Sequence, residues 1–274
     1  AIGIDVRAVD AVQDEGAAAA FDAAHHLSQA GADVGHGLAI NVHNAADAFF
    51  FQAGSSEMFG HSPFESPQNE DTPFRPDNPY SSAKVFAAHL VRNYREHFGI
   101  FACTGILYNH ESPRRGETFV TRKVTRAIAA IKAGKQKQVY MGNMSAKRDW
   151  GFAPEYVDAM WRVLRQKKGD DFVLGTGETH PVQEFVDGAF EYAGLRPKDH
   201  VKIDRRYFRP TEVDELVADA TKAKDRLGLD LKVKFDGLVK VMVDADMRAA
   251  GLEPVGEGDK LLKRSFPKRW WGAD

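Results

Sequence analysis

From Phe49 onward the apolar positions fall into two kinds of run. Short unbroken runs read as strands buried on both faces; stripes recurring every three or four residues read as amphipathic helices. Phe49-Phe50-Phe51-Gln52-Ala53 is the first buried strand, and it ends at the Gly54-Ser55 turn. A proline-rich loop covers 62–79. Residues 80–98 then carry Val85, Ala88, Leu90, Val91 and Tyr94 as one apolar stripe, and Gly99 ends the helix. The run 100–108 is apolar on both faces, as in a parallel sheet. A basic amphipathic helix is predicted over 118–133, stopped by Gly134, and a short strand over 139–142. A helix over 153–166 with Pro154 near its start, a strand at 172–174 and a helix over 181–193 follow. The tail from Leu227 is expected to hold one more helix and to end in Trp270-Trp271.

Composition changes this picture only before residue 49. That segment is rich in alanine and aspartate, and Arg7 is its only basic residue besides histidines. Ala17 to Ala20 and the residues after them have helical propensity. Gly35-His36-Gly37 reads as a loop, since no third glycine and no strand accompany it. His25, His26, His36 and His43 invite a metal reading, but adjacent histidines share a face poorly, and no metal site is expected. Over the whole chain, 43% apolar and 28% charged residues indicate an ordinary globular protein. A net charge of −2 gives no overall field for nucleic acid or an acidic membrane. The single cysteine, Cys103, excludes an intrachain disulfide and suits a reducing cytoplasm. No apolar run reaches the roughly 18 residues of a membrane span, and the first residues do not read as a signal peptide. A cytoplasmic protein is the expectation.

Three stretches carry chemistry. Ser55-Ser56-Glu57 sets a hydroxyl and a carboxylate two residues apart at a strand end. Tyr80-Ser81-Ser82-Ala83-Lys84 sets a phenol and an ammonium on one helical face. The ammonium favours the phenolate, a base able to take a hydroxyl proton as hydride leaves the same carbon. A carboxylate such as Glu57 could take a carbon-bound proton while a neighbouring hydroxyl departs. The bland alternatives are a half-buried tyrosine beside a surface lysine, and a solvated loop glutamate. The third stretch runs from Asn109 through His110, Arg114, Arg115, Arg122 and Lys123, after a strand, where doubly wound sheets bind ligands. Asn109 can donate to a phosphate or sugar, and the four cations offer charge for a pyrophosphate. A solvated basic face explains Arg126 and Lys132 well but Pro113-Arg114-Arg115-Gly116 poorly.

From about Phe49 to Trp271 the chain closely resembles the GDP-mannose 4,6-dehydratase family of extended short-chain dehydrogenase/reductases. The matching runs are Ser55 to Gly60, Asn78-Pro79-Tyr80, Asn109 to Lys123, Gly142-Asn143-Met144, Arg148-Asp149-Trp150-Gly151 and Tyr207 to Glu212. Gly256-Glu257-Gly258 and Arg269-Trp270-Trp271 also fit. The resemblance implies Ser55 as active-site hydroxyl, Glu57 as acid/base, Tyr80 as oxidation base and Lys84 as its partner. It implies that Tyr80, Lys84, His110 and Arg115 hold NADP. It places Asn109, Val120, Lys123, Gly142, Arg148, Arg209 and Glu212 around GDP-mannose. The implied reaction is a lyase step driven by internal redox: hydride leaves C4, water leaves across C5–C6, and hydride returns to C6. The product would be GDP-4-keto-6-deoxymannose, a precursor of fucose and rhamnose nucleotides. No nucleic acid or membrane partner is implied, and a homo-oligomer, dimer or tetramer, is.

The chain departs from the family before Ser55, where no G-x-G-x-x-G run occurs. The expected fold is therefore α/β, an N-terminally truncated Rossmann-like parallel sheet with a smaller C-terminal α/β substrate lobe. Residues 1–48 form a divergent segment. Residues 49–110 would be the remainder of the NADP-binding domain, with 150–166 returning to it, and 111–149 with 167–274 the GDP-sugar lobe. The rival readings are a non-catalytic fragment that keeps GDP-sugar binding, and a related sugar-nucleotide dehydratase or epimerase.

Overall fold

Residues 49–61, 65–208 and 215–268 are described by a computed structural model. The expectations for residues 1–48, with their four histidines, and for Arg209, Glu212 and Trp270-Trp271 lie outside the described residues.

Three parallel strands make the central sheet. They are β1 (Phe49–Ala53), β2 (Phe101–Leu107) and β7 (Phe172–Leu174), in the order β1-β2-β7. Phe49 pairs with Phe101 and Ala53 with Gly105 on one side of β2, and Gly105 pairs with Phe172 on the other. The unbroken apolar character of β2 follows from cover on both faces. Its Ala102 packs with Phe50 and Val91 of α1 (Pro79–Phe98). Its Cys103 and Leu107 pack with Tyr156, Ala159 and Val163 of α3 (Ala153–Leu164) and with α6 (Thr221–Leu227). Asn78 caps α1, and Gly99 ends it in the left-handed region at φ 68°, where a missing Cβ removes the steric penalty.

Short strands extend the fold beyond the sheet. β3 (Asn109–Glu111) pairs in parallel with β6 (Trp150–Phe152). β4 (Val139–Met141) pairs with β9 (Val201–Ile203), and β5 (Lys147–Arg148) with β8 (His180–Pro181). A second core gathers α2 (Val120–Lys132), α4 (Val182–Tyr192) and α7 (Phe235–Ala249). Trp150 stacks on Phe235 at 6.0 Å between ring centroids and tilts against Phe185 at 5.5 Å. A single turn, α5 (Pro197–His200), leads into β9, and α8 (Glu257–Ser265) packs on α7.

The tail differs from expectation. Two helices, α7 and α8, follow Leu227 where one was expected, and α6 ends at that residue. The break between α7 and α8 is built on glycine and a buried acid. Gly256 adopts φ 87°, and the amides of Gly256 and Gly258 donate to Asp244 at 3.0 and 2.9 Å. A Cβ on Gly258 would lie 2.6 Å from the α7 backbone. The Gly256-Glu257-Gly258 run therefore makes a helix start and does so through a tertiary partner.

Candidate active site

β1 and β2 run parallel, so their carboxyl ends open on the same side. Gly54 closes that end by donating to the Gly105 carbonyl at 2.8 Å. Ser55 follows as the cap of a short 3-10 turn, Ser56–Phe59, and its Oγ accepts from the Glu57 amide at 3.2 Å. Met58 and Phe59 are buried beneath this turn, which leaves Ser55 and Glu57 half-buried above it.

Two hydrogen bonds bring the start of α1 to this turn. The Lys84 ammonium donates to the Ala53 carbonyl at 2.9 Å. The Asn78 amide nitrogen donates to Glu57 Oε2 at 3.4 Å, while Asn78 Oδ1 accepts from the Ser81 amide at 2.8 Å. The cap of α1 thus also holds the carboxylate. Lys84 Nζ lies 5.6 Å from the centroid of the Tyr80 ring, and that ring is 52% exposed. Burial lowers the Lys84 pKa from the usual lysine range. Ser55, Glu57, Tyr80 and Lys84 therefore meet at one strand end, although 25 residues separate Ser55 from Tyr80.

Beside it, the chain leaves β2 through Tyr108 into β3. Register with β6 sets Asn109 opposite Trp150 and His110 opposite Gly151. His110 Nδ1 bonds to the Tyr108 carbonyl at 2.8 Å, and its ring lies 5.4 Å from that of Tyr156. Burial lowers the His110 pKa; the Tyr108 carbonyl opposes that, and the Arg115 charge reinforces it. Gly151 is required there, because a Cβ would overlap the Tyr156 ring. Arg115 lies over the Phe119 ring at 3.8 Å and faces Glu111 at 3.4 Å. Burial raises the Glu111 pKa, against the pull of Arg115 and of the Thr121 hydroxyl that donates to it. Arg115 Nε and the Tyr156 hydroxyl are buried without a hydrogen-bond partner.

A third group lies on α2, β4 and the turn after β9. Val120 opens α2 and packs on the second core. Lys123 Nζ sits 3.7 Å from the Tyr207 ring centroid, and burial lowers its pKa while Asp204 opposes the shift. Gly142 lets the Arg205–Tyr207 turn close over β4, because a Cβ would overlap the Tyr207 carbonyl. Arg148 lies on β5 and donates to the Lys147 carbonyl at 2.7 Å.

Two side chains meet partners that the sequence did not indicate. Arg122 faces the protein; Asp246 and loop carbonyls take four of its five N–H groups. Asp149 is a buried acceptor for the amides of Thr176 and Gly177, at 2.9 Å each. Asn78 was not assigned a role from the sequence, although an asparagine before a proline is a readable helix start. Among the described residues no cluster of three His, Cys, Asp or Glu could hold a metal. Nor, among them, is any helix long and apolar enough to cross a membrane.

Residues 38–242 match the family model described as GDP-mannose 4,6 dehydratase. The chain is 56% identical over 215 residues to GDP-mannose 4,6 dehydratase 1 of Arabidopsis thaliana, covering 78% of this chain and 59% of that protein. It is 46% identical over 222 residues to the human GDP-mannose 4,6 dehydratase, covering 75% of this chain and 59% of that one. The chain thus spans somewhat over half the length of these curated relatives. In structure it is similar to RMD from Pseudomonas aeruginosa complexed with NADPH. The TM-score is 0.67 at 18% identity, over 74% of this chain and 66% of that one. That likeness bears on the fold, which is Rossmann-like.

Proposed function

The chain belongs to the GDP-mannose 4,6-dehydratase family, and from that premise we propose that it converts GDP-mannose to GDP-4-keto-6-deoxymannose with NADP as cofactor. The observation that carries the proposal is the pair of ties at the end of β1. Lys84 to Ala53 and Asn78 to Glu57 bring the start of α1, which carries Tyr80, to the turn that carries Glu57.

NADP, when bound, supplies the acceptor and later the donor of the hydride. The residues present fit its nicotinamide end. The Tyr156 hydroxyl is buried without a hydrogen-bond partner, and its ring lies 5.4 Å from that of His110. Tyr80, Lys84, His110 and Arg115 would hold that end. Among the described residues no glycine-rich strand-turn-helix accompanies them. The NADPH carried by the Pseudomonas aeruginosa neighbour supports the choice of cofactor.

In this reading Ser55 Oγ hydrogen-bonds the sugar C4 oxygen. Tyr80 accepts the C4 hydroxyl proton, with the Lys84 ammonium 5.6 Å from its ring centroid. Glu57 takes the C5 proton and delivers it to the departing C6 hydroxyl, so the lost atoms sum to one water, and the proton taken by Tyr80 balances the one that C5 regains as hydride returns to C6. Asn78 keeps the Glu57 carboxylate from swinging away, which preserves the alignment that proximity catalysis needs. Asn109, Val120, Lys123, Gly142, Arg148, Arg209 and Glu212 form the proposed GDP-sugar site. The lobes would divide as 49–110 with 150–166, against 111–149 with 167–274. Packing of α3 on the three-stranded sheet supports the return of 150–166 to the first lobe, while β7 and α6 join that sheet from within 167–274. The exposed Phe86 and Phe98 on α1 support pairing of subunits as a dimer or tetramer. The single buried cysteine supports a cytoplasmic setting.

Titration calorimetry with NADP and GDP-mannose, followed by mass spectrometry of the mixture, tests this. Binding of both and loss of one water from the sugar nucleotide are expected. Absence of water loss from a chain that binds both would sink the dehydratase reading.

A further inference from the structure

We infer that Arg122 and Asp246 are positioning residues that lock the 112–116 loop, and that Arg122 is no ligand of the nucleotide phosphates. The Arg122 guanidinium forms a two-pronged pair with Asp246, Nε to Oδ2 at 3.1 Å and Nη2 to Oδ1 at 2.9 Å. Its Nη1 donates to the carbonyls of Pro113 and Arg115, the latter at 3.2 Å. Thr125 Oγ1 fixes the same carboxylate at 2.5 Å. Both charged side chains are shielded from water, at 12% and 5% exposure. One fork thus joins α2, α7 and the loop that carries Arg114 and Arg115.

The chemistry makes this a positioning device. A guanidinium offers five N–H groups in a fixed plane, so it can grip a carboxylate along one edge and carbonyls along another. A lysine ammonium cannot reproduce that geometry. Removing the Asp246 charge would leave a buried cation unpaired, which is strongly unfavourable. The loop carbonyls would then lose their anchor. Arg115, held over Phe119 on that loop, would lose its fixed direction. This step rests on the proposed dehydratase reading, in which Arg115 contacts the cofactor. The ordering of the loop does not.

The test uses the full chain with Asp246→Asn, Arg122→Gln and Arg122→Lys. Tryptic cleavage after Arg114 and Arg115 reads the loop, with cleavage after the 83% exposed Arg206 as internal reference. All three variants should be cut at the loop about tenfold faster relative to that reference, as local opening free energies allow. NADP affinity should fall about tenfold while GDP-mannose affinity stays within about twofold. Arg122→Lys should match Arg122→Gln, since charge alone does not restore the fork. If Asp246→Asn fails to fold, Thr125→Val should show the same selective change at about two- to threefold. Unchanged loop cleavage in every variant overturns the inference. So does a loss of GDP-mannose affinity in Arg122→Gln that Arg122→Lys rescues, because that is how a phosphate ligand behaves. If the unaltered chain fails to bind NADP, the dehydratase reading fails, and the cleavage ratios alone decide the positioning role.

Discussion

Glu155 holds its proton close to neutral pH for reasons that are local to one side chain. Burial pushes its pKa up to about 7, the amides of Lys232 and Val233 pull it down, and Asp230 pushes it up again. The folded chain therefore retains a proton on Glu155 that the unfolded chain, with a pKa near 4.5, has released. Stability from this group is present below about pH 4.5 and is lost as pH rises through about 7. The loss is on the order of 3 kcal/mol by the free energy of such a shift. Glu155→Gln, which mimics the protonated acid, should remove that slope. Thermal unfolding of both proteins between pH 4.5 and 7.5 checks this, and parallel profiles would contradict it. Gly142 poses the opposite kind of constraint, since nothing about it titrates. Gly142→Ala drives a methyl into the Tyr207 carbonyl, and overpacking of this kind costs about 1–3 kcal/mol. We expect lower stability in urea together with weaker GDP-mannose binding, because the displaced turn carries the ring on Lys123. Retained affinity at reduced stability would separate Tyr207 from the sugar-nucleotide site.

Helix α1 shows how one cap serves both stability and chemistry. Asn78 accepts from the Ser81 amide, its own amide bonds the Ser81 hydroxyl at 3.2 Å, and its side-chain nitrogen reaches Glu57. Asn78→Ala should cost about 1 kcal/mol of stability, the usual value of an N-cap. Asn78→Asp keeps the acceptor and should fall within about 0.5 kcal/mol of the parent. It also sets a second carboxylate against Glu57, so dehydratase turnover should drop more in Asn78→Asp than its stability does. Chemical unfolding and steady-state turnover, measured on both variants, distinguish the two functions of the cap. Equal turnover in Asn78→Asp and the parent would show that Glu57 does not need this tie. α8 is capped differently, through Asp244 of α7, and only its glycines could be read as a helix boundary from the chain.

At the scale of the molecule, among the described residues the central sheet has β1 at one edge and β7 at the other. Among the described residues β1 pairs only with β2, and Phe49 is 53% exposed at its start. Exposed apolar edge strands invite pairing with other chains. Phe49→Lys should lower concentration-dependent light scattering without changing the circular dichroism spectrum. Unchanged scattering would acquit this edge. The strands and helices around that edge were legible in the chain because their signals are local: unbroken apolar runs, 3.6-residue stripes, and glycine at helix ends. The Tyr80–Lys84 pairing was legible for the same reason, being one helical turn long. Of the shorter strands, β4 and β7 were legible as apolar runs, but the pairings β3–β6, β4–β9 and β5–β8 were not, since which short strand meets which is set by tertiary contact. Neither was the second tail helix, whose start depends on an acid contributed by its neighbour. By itself the sequence determined the α/β order, the family, and which side chains are candidates for acid, base and hydroxyl. Only the tertiary structure decided what each charge faces. Arg122 and Asp246 stand 124 residues apart, and no local pattern says whether a guanidinium meets a phosphate or a carboxylate. That outcome is set by which surfaces the packed core brings together and which of them water can no longer reach.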